Sequence, residues 1–230
     1  MKKFIKKIIL NKPLAGLMIK PILHLHSASY KWASRFAIVL NSGIHPKHRI
    51  LRYNEWFLDN TEPGWTILDI GCNTGEMTFA LAQKASFVYG IETNKDYLAV
   101  ANGRNARSNI KYICADATTY NFNALKPINC ITLSNFLEHI ENRIDFLKKS
   151  ISNVKWADDN NRRVLIRVPL IDRGWIVSYK EELGLDYRLD STHKTEYTLS
   201  QLSEELKQAG IKIEKSEVRF GEIYAVCRAV

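Results

Sequence analysis

An α/β fold, built on a doubly wound sheet of seven strands, is predicted by three observations along this 230-residue chain. Strand-like apolar runs alternate with helix-like segments five times, which is typical of a mostly parallel sheet with helices on both faces. The chain then closes with two strand-like runs around the tight turn Phe220-Gly221, so one antiparallel strand is expected in a C-terminal hairpin. A glycine turn from Gly71 to Gly75 directly follows the first strand, where sheets of this kind bind ligands.

The individual elements are placed by apolar runs and by residues that begin or end helices. Asn94 and Thr198 are suited to cap helices, and Gly210 is suited to end one. The predicted strands cover 66–70, 87–92, 110–114, 128–133, 163–168, 211–219 and 222–228. The predicted helices that follow the first strand cover 75–84, 95–106, 138–153 and 199–209.

The chain is expected to consist of two parts. Residues 1–63 are predicted to form a basic helical arm, with helices over 28–40 and 46–60, and residues 64–230 form the main domain. Within that domain, residues 170–197 are predicted to be irregular. A connection of this length without regular structure is usually functional.

Charge is distributed unevenly along the chain, whose formal net charge is +9. Residues 1–54 contain eleven Lys or Arg and no Asp or Glu, so the remainder has 22 basic (33 − 11) and 24 acidic residues and a net charge of −2. Pro13 and Pro21 interrupt the apolar runs, which fall short of the ~20 residues that span a bilayer. We therefore expect residues 1–25 to contact an anionic membrane surface, or else to pack as a helical cap with its lysines in water.

Cysteine usage indicates a reducing compartment. The four cysteines are scattered and form no C-x-x-C pair, which argues against a secretory disulfide framework. The N-terminus has no clean apolar segment followed by a small-residue cleavage site. We expect a cytoplasmic protein, with peripheral contact to the inner face of the membrane if the arm binds lipid.

The glycine turn and a spaced acid predict a nucleoside-binding site. Glu92 follows Gly71 by 21 residues (92 − 71), at the end of the second strand, where its carboxylate can accept both ribose hydroxyls. A dinucleotide fingerprint needs G-x-G-x-x-G, but Asn73 occupies the middle glycine position. A ligand with adenosine and no pyrophosphate therefore fits better.

The string ILDIGCNTG, residues 67–75, resembles the first motif of class I S-adenosylmethionine-dependent methyltransferases. Their usual form is D-x-G-x-G-x-G, and Asn73 departs from it by placing a small side chain against the ligand without abolishing binding. The resemblance implies a Rossmann-like fold, S-adenosylmethionine as cofactor, and methyl transfer.

The same resemblance implies a set of cofactor-binding residues at strand ends. Asp69 would anchor the ammonium of the methionine moiety, directly or through water, and Asp116 would accept from the adenine amino group. The string HPKHRILRY, residues 45–53, resembles the segment before the first strand in the quinone-biosynthesis O-methyltransferase group, where an arginine contacts the cofactor carboxylate. This resemblance implies that role for Arg49, with Arg52 or His48 as alternatives. The full set is Arg49, Asp69, Gly71, Cys72, Asn73, Gly75, Glu92, Asp116, Ala117, Ser134 and Asn135.

The string LSNFLEHIENR, residues 133–143, resembles the fourth-strand motif of the quinone-biosynthesis O-methyltransferase group, which commonly carries E-x-x-E-H. In metal-assisted members of the wider family such residues hold a divalent cation. The corresponding candidates here are Asn135, Glu138, His139 and His193. Because Asn135 replaces the first carboxylate, we predict that the site works without a metal.

Histidine is the side chain best suited to take a proton from a hydroxyl acceptor near neutral pH. We predict His193 or His139 as this base. The aromatic and polar side chains that follow the fifth strand are expected to contact the acceptor. The substrate-binding candidates are Asp172, Arg173, Trp175 and Tyr197.

These features predict an S-adenosylmethionine-dependent methyltransferase that acts on oxygen of a small molecule, a lipid-linked intermediate or a cell-surface sugar. Two alternatives are an RNA methyltransferase bound through the basic arm, and a non-catalytic cofactor-binding scaffold protein. The Asn/Asp-Pro-Pro-aromatic tetrapeptide of many exocyclic-amine methyltransferases is absent after the fourth strand, where Ser134-Asn135-Phe136-Leu137 stands instead.

Overall fold

The computed structural model describes residues 11–43 and 45–230. Seven strands form one sheet. They are β1 (Thr66–Ile70), β2 (Phe87–Glu92), β3 (Ile110–Cys114), β4 (Cys130–Ser134), β5 (Arg163–Pro169), β6 (Ile211–Arg219) and β7 (Glu222–Ala229). Their order across the sheet is β3-β2-β1-β4-β5-β7-β6. Strands β1 to β5 pair in parallel, and β7 pairs antiparallel with both β5 and β6. The predicted doubly wound sheet with one antiparallel strand is therefore confirmed.

The helices are numbered within the described residues. They are α1 (Lys12–Leu40), α2 (Lys47–Leu51), α3 (Tyr53–Asp59), α4 (Glu76–Leu81), α5 (Lys95–Arg104), α6 (Arg143–Asn153), α7 (Trp175–Glu182) and α8 (Leu199–Gln208). Short 3₁₀ turns cover Phe122–Ala124 and Leu137–His139.

The chain divides into two compact units. The first contains the described residues up to Leu51 together with Trp175–Tyr187, and the second contains Arg52–Gly174 and Arg188–Val230. The predicted division into an arm of 1–63 and a domain of 64–230 stays a prediction. Residues 1–10 of that arm lie outside the described residues.

The core of the second unit lies around its central strands. Ile67, Leu68, Ile131 and Leu133 are at most 1% exposed, as expected for parallel strands that are covered on both faces. Helices α6 and α8 contribute buried residues to the same cluster, including Leu147. This packing holds the carboxyl ends of β1, β2 and β4 in fixed positions.

The predicted helix boundaries are confirmed where a capping side chain defines them. The Asn94 side chain accepts hydrogen bonds from the backbone of Asp96 and Tyr97, and Thr198 accepts one from Gln201. Gly210 follows α8 with a φ of 76°. The ends of α4, α5 and β4 differ from the predicted ranges by one to three residues, which is the usual precision of element boundaries.

The predicted helices over 28–40 and 46–60 were both wrong in extent. Helix α1 begins at Lys12 and continues through Pro21. Pro21 is exposed, so the carbonyl that loses its hydrogen-bond donor can reach water, which lowers the cost of an interior proline. The second predicted helix is interrupted at Arg52, whose φ of 50° is left-handed.

Two further predictions about the main domain were wrong. The predicted helix over 138–153 is a 3₁₀ turn followed by α6, because the chain becomes extended at Ile140. The predicted irregular segment 170–197 contains α7, so it is not structureless.

Candidate active site

The glycine turn between β1 and α4 depends on glycine for packing as well as for backbone conformation. Gly71 and Gly75 have φ values of 76° and 81°. A Cβ atom at Gly71 would lie 2.4 Å from Cδ2 of Phe136, and one at Gly75 would lie 2.4 Å from the hydroxyl of Tyr112. Asn73 adopts a φ of 50°, a conformation that asparagine tolerates well. The departure from glycine at position 73 therefore fits this turn.

Glu92 ties the end of β2 to the glycine turn. Its Oε2 accepts a hydrogen bond from the backbone N–H of Asn73 at 3.1 Å, and its Oε1 accepts from those of Thr93 at 2.8 Å and Asn94 at 2.9 Å. These hydrogen bonds fix the position of the carboxyl group against the turn. A carboxylate has about four acceptor positions, so Oε2 retains capacity for a ribose hydroxyl, and the turn fits the predicted ligand.

Asp69 lies beneath the turn and has no exposed surface. Its two carboxylate oxygens accept hydrogen bonds from the hydroxyls of Thr78 at 2.6 Å and Thr132 at 2.8 Å. Burial raises the pKa of Asp69 to about 6, although both hydrogen bonds oppose this change. Of the two predicted ways of anchoring an ammonium group, this burial favours contact through water.

The other predicted cofactor residues of this unit lie near the same edge of the sheet. Asp116 is exposed after β3, and its Oδ1 accepts from the backbone and hydroxyl of Thr118 at 2.8 and 2.7 Å. Ala117 and Cys72 are buried, and burial raises the pKa of the Cys72 thiol. Ser134 is half-buried at the end of β4. Their roles in binding stay predictions.

A buried arginine cluster, absent from the predicted site, lies at the ends of β4, β5 and β7. Arg167 is 4% exposed, and its Nε lies 3.3 Å from Oδ1 of Asn135 and 3.6 Å from Oε2 of Glu222. The guanidinium lies 3.8 Å from the centre of the Tyr53 ring. A charged residue within the otherwise apolar run Val164–Val168 was the sequence signal for this cluster.

His193 is oriented by a second residue absent from the prediction, Glu196. Nδ1 of His193 lies 3.2 Å from Oε1 of Glu196, and both side chains are buried. Burial alone would raise the pKa of Glu196, but hydrogen bonds from His193, the Leu189 backbone and Arg173 lower it below its usual range. An ionised carboxylate at Nδ1 holds the proton on that nitrogen and leaves Nε2 as a proton acceptor.

His139 lies beside His193. The ring centres are 4.8 Å apart, and Nδ1 of His139 is 3.0 Å from the hydroxyl of Thr192. Burial and then the neighbouring His193 lower the pKa of His139.

Three of the four predicted metal candidates lie close together. Glu138, His139 and His193 each offer one carboxylate oxygen or ring nitrogen that could bind a metal, and these atoms lie within 4.8 Å of one another. The fourth metal candidate, Asn135, bonds instead to the arginine cluster, and the metal-free site stays our prediction.

Glu138 is a buried carboxyl group that lacks hydrogen-bond partners within the described part of the chain. It has no exposed surface, and neither carboxylate oxygen has a hydrogen-bond partner among the described protein atoms. Burial raises its pKa to about 8, although Arg167 opposes this change. The side chain therefore stays neutral in the folded protein at a pH at which it would be ionised in the unfolded chain.

The substitution Glu138→Gln should make the protein more stable at alkaline pH. The folded-state pKa is raised, so the wild-type protein loses stability as the pH rises from about 4.5 to about 8, whereas glutamine cannot ionise. We expect similar free energies of unfolding at pH 5, and an advantage for the variant on the order of 2–4 kcal/mol at pH 8.5. Urea unfolding at both pH values measures the difference, with the exposed Glu62→Gln as control. Parallel pH profiles for Glu138→Gln and the wild type would show that Glu138 is ionised in the folded state.

Of four other predicted site residues, two belong to the second unit and two to the first. Tyr197 is fully buried, and its hydroxyl donates a hydrogen bond to Oε2 of Glu205 at 3.1 Å. This contact packs α8 against the end of the preceding segment. Asp172 is exposed after β5. Arg49 on α2 and Trp175 at the start of α7 are exposed and belong to the first unit. Their predicted roles stay predictions.

Comparison with known proteins identifies the type of domain. Residues 67–155 match the family described as a methyltransferase domain. Over 103 residues the chain is 36% identical to N-methyltransferase 4 of Papaver somniferum. The match covers 43% of this chain but only 28% of that protein.

Solved structures share the fold. One is a magnesium protoporphyrin IX methyltransferase from Synechocystis PCC 6803, solved with bound S-adenosylhomocysteine. Its TM-score is 0.58 at 16% identity, and the superposition covers 79% of this chain and 82% of that chain. An S-adenosylmethionine-dependent methyltransferase from Clostridium acetobutylicum ATCC 824 has a TM-score of 0.59 at 14% identity, with coverages of 87% and 98%. At these identities the likeness establishes the architecture.

Proposed function

We propose that this chain, which carries a class I S-adenosylmethionine-dependent methyltransferase domain, methylates an oxygen atom of a small-molecule, sugar or lipid-linked acceptor. The family match agrees with the predicted domain type and cofactor. The arrangement of Glu196 and His193 is the observation that carries the choice of oxygen. A hydroxyl must lose its proton to become a strong nucleophile, and a histidine fixed by a carboxylate is built to accept it.

The residues of the glycine turn would hold the cofactor, with Glu92 on the ribose and Asp116 on the adenine. When bound, S-adenosylmethionine supplies an electrophilic methyl group on sulfur. His193 would take the acceptor proton on Nε2, while Glu196 stabilises the imidazolium that forms. Glu196 therefore acts as a positioning residue, through His193.

An amine acceptor is the second candidate function. It is favoured by the similarity to N-methyltransferase 4 of Papaver somniferum, although that alignment covers a minor part of that protein. A neutral amine can attack before it loses a proton, so this reaction depends less on a base. The two candidates therefore differ in how strongly they require His193.

The acceptor atom can be identified with ¹³C-methyl-labelled S-adenosylmethionine. The full chain would be incubated with the labelled donor and separate aqueous and lipid extracts of cells, and the products examined by NMR. Methyl carbons on oxygen and on nitrogen resonate at different shifts, so the spectrum separates the two candidates. Label on oxygen supports the proposal, whereas label on nitrogen would replace it with the amine reaction. Transfer to RNA alone would revive the nucleic-acid alternative.

The substitution Glu92→Ala should weaken binding of S-adenosylhomocysteine by about 1–3 kcal/mol, because it removes a charge-assisted acceptor from the predicted ribose site. Isothermal titration measures the change. The control is Glu62→Ala, which removes an exposed acid that precedes β1. Since Glu92 also bonds to the glycine turn, thermal melts must show that the variant stays folded. Undiminished affinity in a folded variant would remove Glu92 from the binding site.

A further inference from the structure

We propose that α1 docks the protein on an anionic lipid bilayer, lying in the plane of the membrane surface with one apolar face inserted. The proposal concerns the first compact unit only. It does not depend on the identity of the methyl acceptor.

One face of α1 carries large apolar side chains that are exposed to solvent, and we call it the apolar stripe. Its principal members are Met18, Ile22, Leu25, Trp32, Phe36 and Val39, which are 45–76% exposed. Successive members are 4, 3, 7, 4 and 3 residues apart (22 − 18, 25 − 22, 32 − 25, 36 − 32 and 39 − 36), which places them on one side of a helix. A continuous exposed apolar surface of this kind marks an interaction site.

The opposite side of α1 is already occupied within the first unit. Leu23 is buried, and the Ser27 hydroxyl accepts a hydrogen bond from Nζ of Lys180 on α7 at 2.6 Å. The apolar stripe is thus the side of the helix that is left for an external partner.

The charge on α1 favours an anionic partner. The helix contains Lys12, Lys20, Lys31 and Arg35 and no acidic residue. The Arg35 guanidinium lies 5.1 Å from the centre of the Trp32 ring, which stacks on Phe36 at 5.9 Å. Arginine beside tryptophan is suited to the boundary between lipid head groups and acyl chains, because both side chains combine an apolar body with a polar end.

The geometry indicates a helix that lies on the membrane. No helix among the described residues has the length and apolar character needed to cross a bilayer. The 29 residues of α1 extend for about 44 Å, and its basic residues are distributed along that length. An in-plane helix can insert its apolar face and keep these cations at the head groups.

A second copy of the chain is the main competing occupant, since a stripe with this spacing can also form a coiled-coil seam. Pairing two copies of α1 would bring together two helices that each carry four basic residues and no acidic residue to compensate. An anionic bilayer supplies both the missing countercharge and an apolar phase for the stripe.

Vesicle flotation of the full chain tests this proposal. The vesicles would contain phosphatidylcholine alone, or phosphatidylcholine with phosphatidylglycerol, at low and high salt. A stripe variant would combine Leu25→Gln, Trp32→Gln and Phe36→Gln. A matched control would combine His26→Gln and Tyr30→Gln, which alters exposed side chains outside the stripe. Thermal melts would verify that both variants remain folded.

We expect the wild type and the control to float with the anionic vesicles at low salt, and the stripe variant to bind at least about tenfold more weakly. High salt should reduce binding, because the electrostatic part is screened. Failure of the wild type to float, or equal binding by the stripe variant, would overturn the proposal. Self-association lost in the stripe variant, without flotation, would assign the face to a second copy. Salt-sensitive RNA binding without flotation would assign the basic surface to nucleic acid.

Discussion

Replacing His193 with glutamine is expected to lower the turnover number about 10²–10⁴-fold, the usual contribution of a positioned general base. Glutamine preserves most of the side-chain volume and can still donate to Glu196, but it cannot accept the acceptor proton. The affinity for S-adenosylhomocysteine should not change, because His193 is assigned to the acceptor side of the site. A labelled-methyl transfer assay and isothermal titration measure the two quantities.

Two comparisons identify what His193 does. Glu196→Gln should lower the turnover number less than His193→Gln and leave the KM for the cofactor unchanged, as expected of a residue that acts through His193. Treatment with EDTA should leave the wild-type activity intact. Reversible loss of activity on chelation would instead make His193, together with Glu138 and His139, a metal ligand. Full activity of a folded His193→Gln variant would contradict the assignment of the base.

The substitution Gly71→Ala should lower the free energy of unfolding by about 2–4 kcal/mol. The residue has a φ of 76°, and the added Cβ would lie 2.4 Å from a ring carbon of Phe136. Relief of this contact requires movement of the Phe136 ring, which also packs against Phe146. Cofactor binding should weaken as well, because the turn shifts. Chemical denaturation and titration measure these effects.

Gly103→Ala is the matched control for this substitution. Gly103 lies in α5, and among the described residues no atom beyond its chain neighbours and the adjacent helix backbone lies within 4 Å of the position that its Cβ would take. The control should therefore be neutral or stabilise the protein by about 0.5–1 kcal/mol, because alanine favours helix more than glycine does. Equal stability changes for the two variants would show that the turn is not constrained as described.

The sheet could be predicted because its signals are local. Each strand of the second unit is a short apolar run, and Asn94 and Thr198 define helix starts through contacts two or three residues away. The glycine turn and the Glu92 spacing are similarly contained within one strand–helix–strand unit. Such patterns depend on neighbouring residues and therefore survive in the sequence alone.

The parts of the site that depend on distant pairs could not be predicted. Arg167 meets Glu222 only because β7 lies beside β5, 55 residues later in the chain (222 − 167). Glu196 is only three residues from His193 (196 − 193), but both lie in the segment 170–197, which was predicted to be irregular, so no helical or strand periodicity could pair their side chains. Helix α1 was underestimated for a different reason. Pro21 ordinarily interrupts a helix, but it is exposed here and α1 continues through it.

The position of β7 has a consequence for how the protein is made. Strand β5 pairs with β4 on one side and with β7 on the other, so one of its edges stays open until residues 222–229 have been synthesised. An open apolar edge can pair with another chain, and Arg167 meanwhile lacks the carboxylate of Glu222. The nascent protein therefore passes through a stage that is exposed to aggregation, in which the cofactor turn is already synthesised and the arginine cluster still lacks Glu222. Shortened chains that end before β7 should accumulate in inclusion bodies or depend on chaperones.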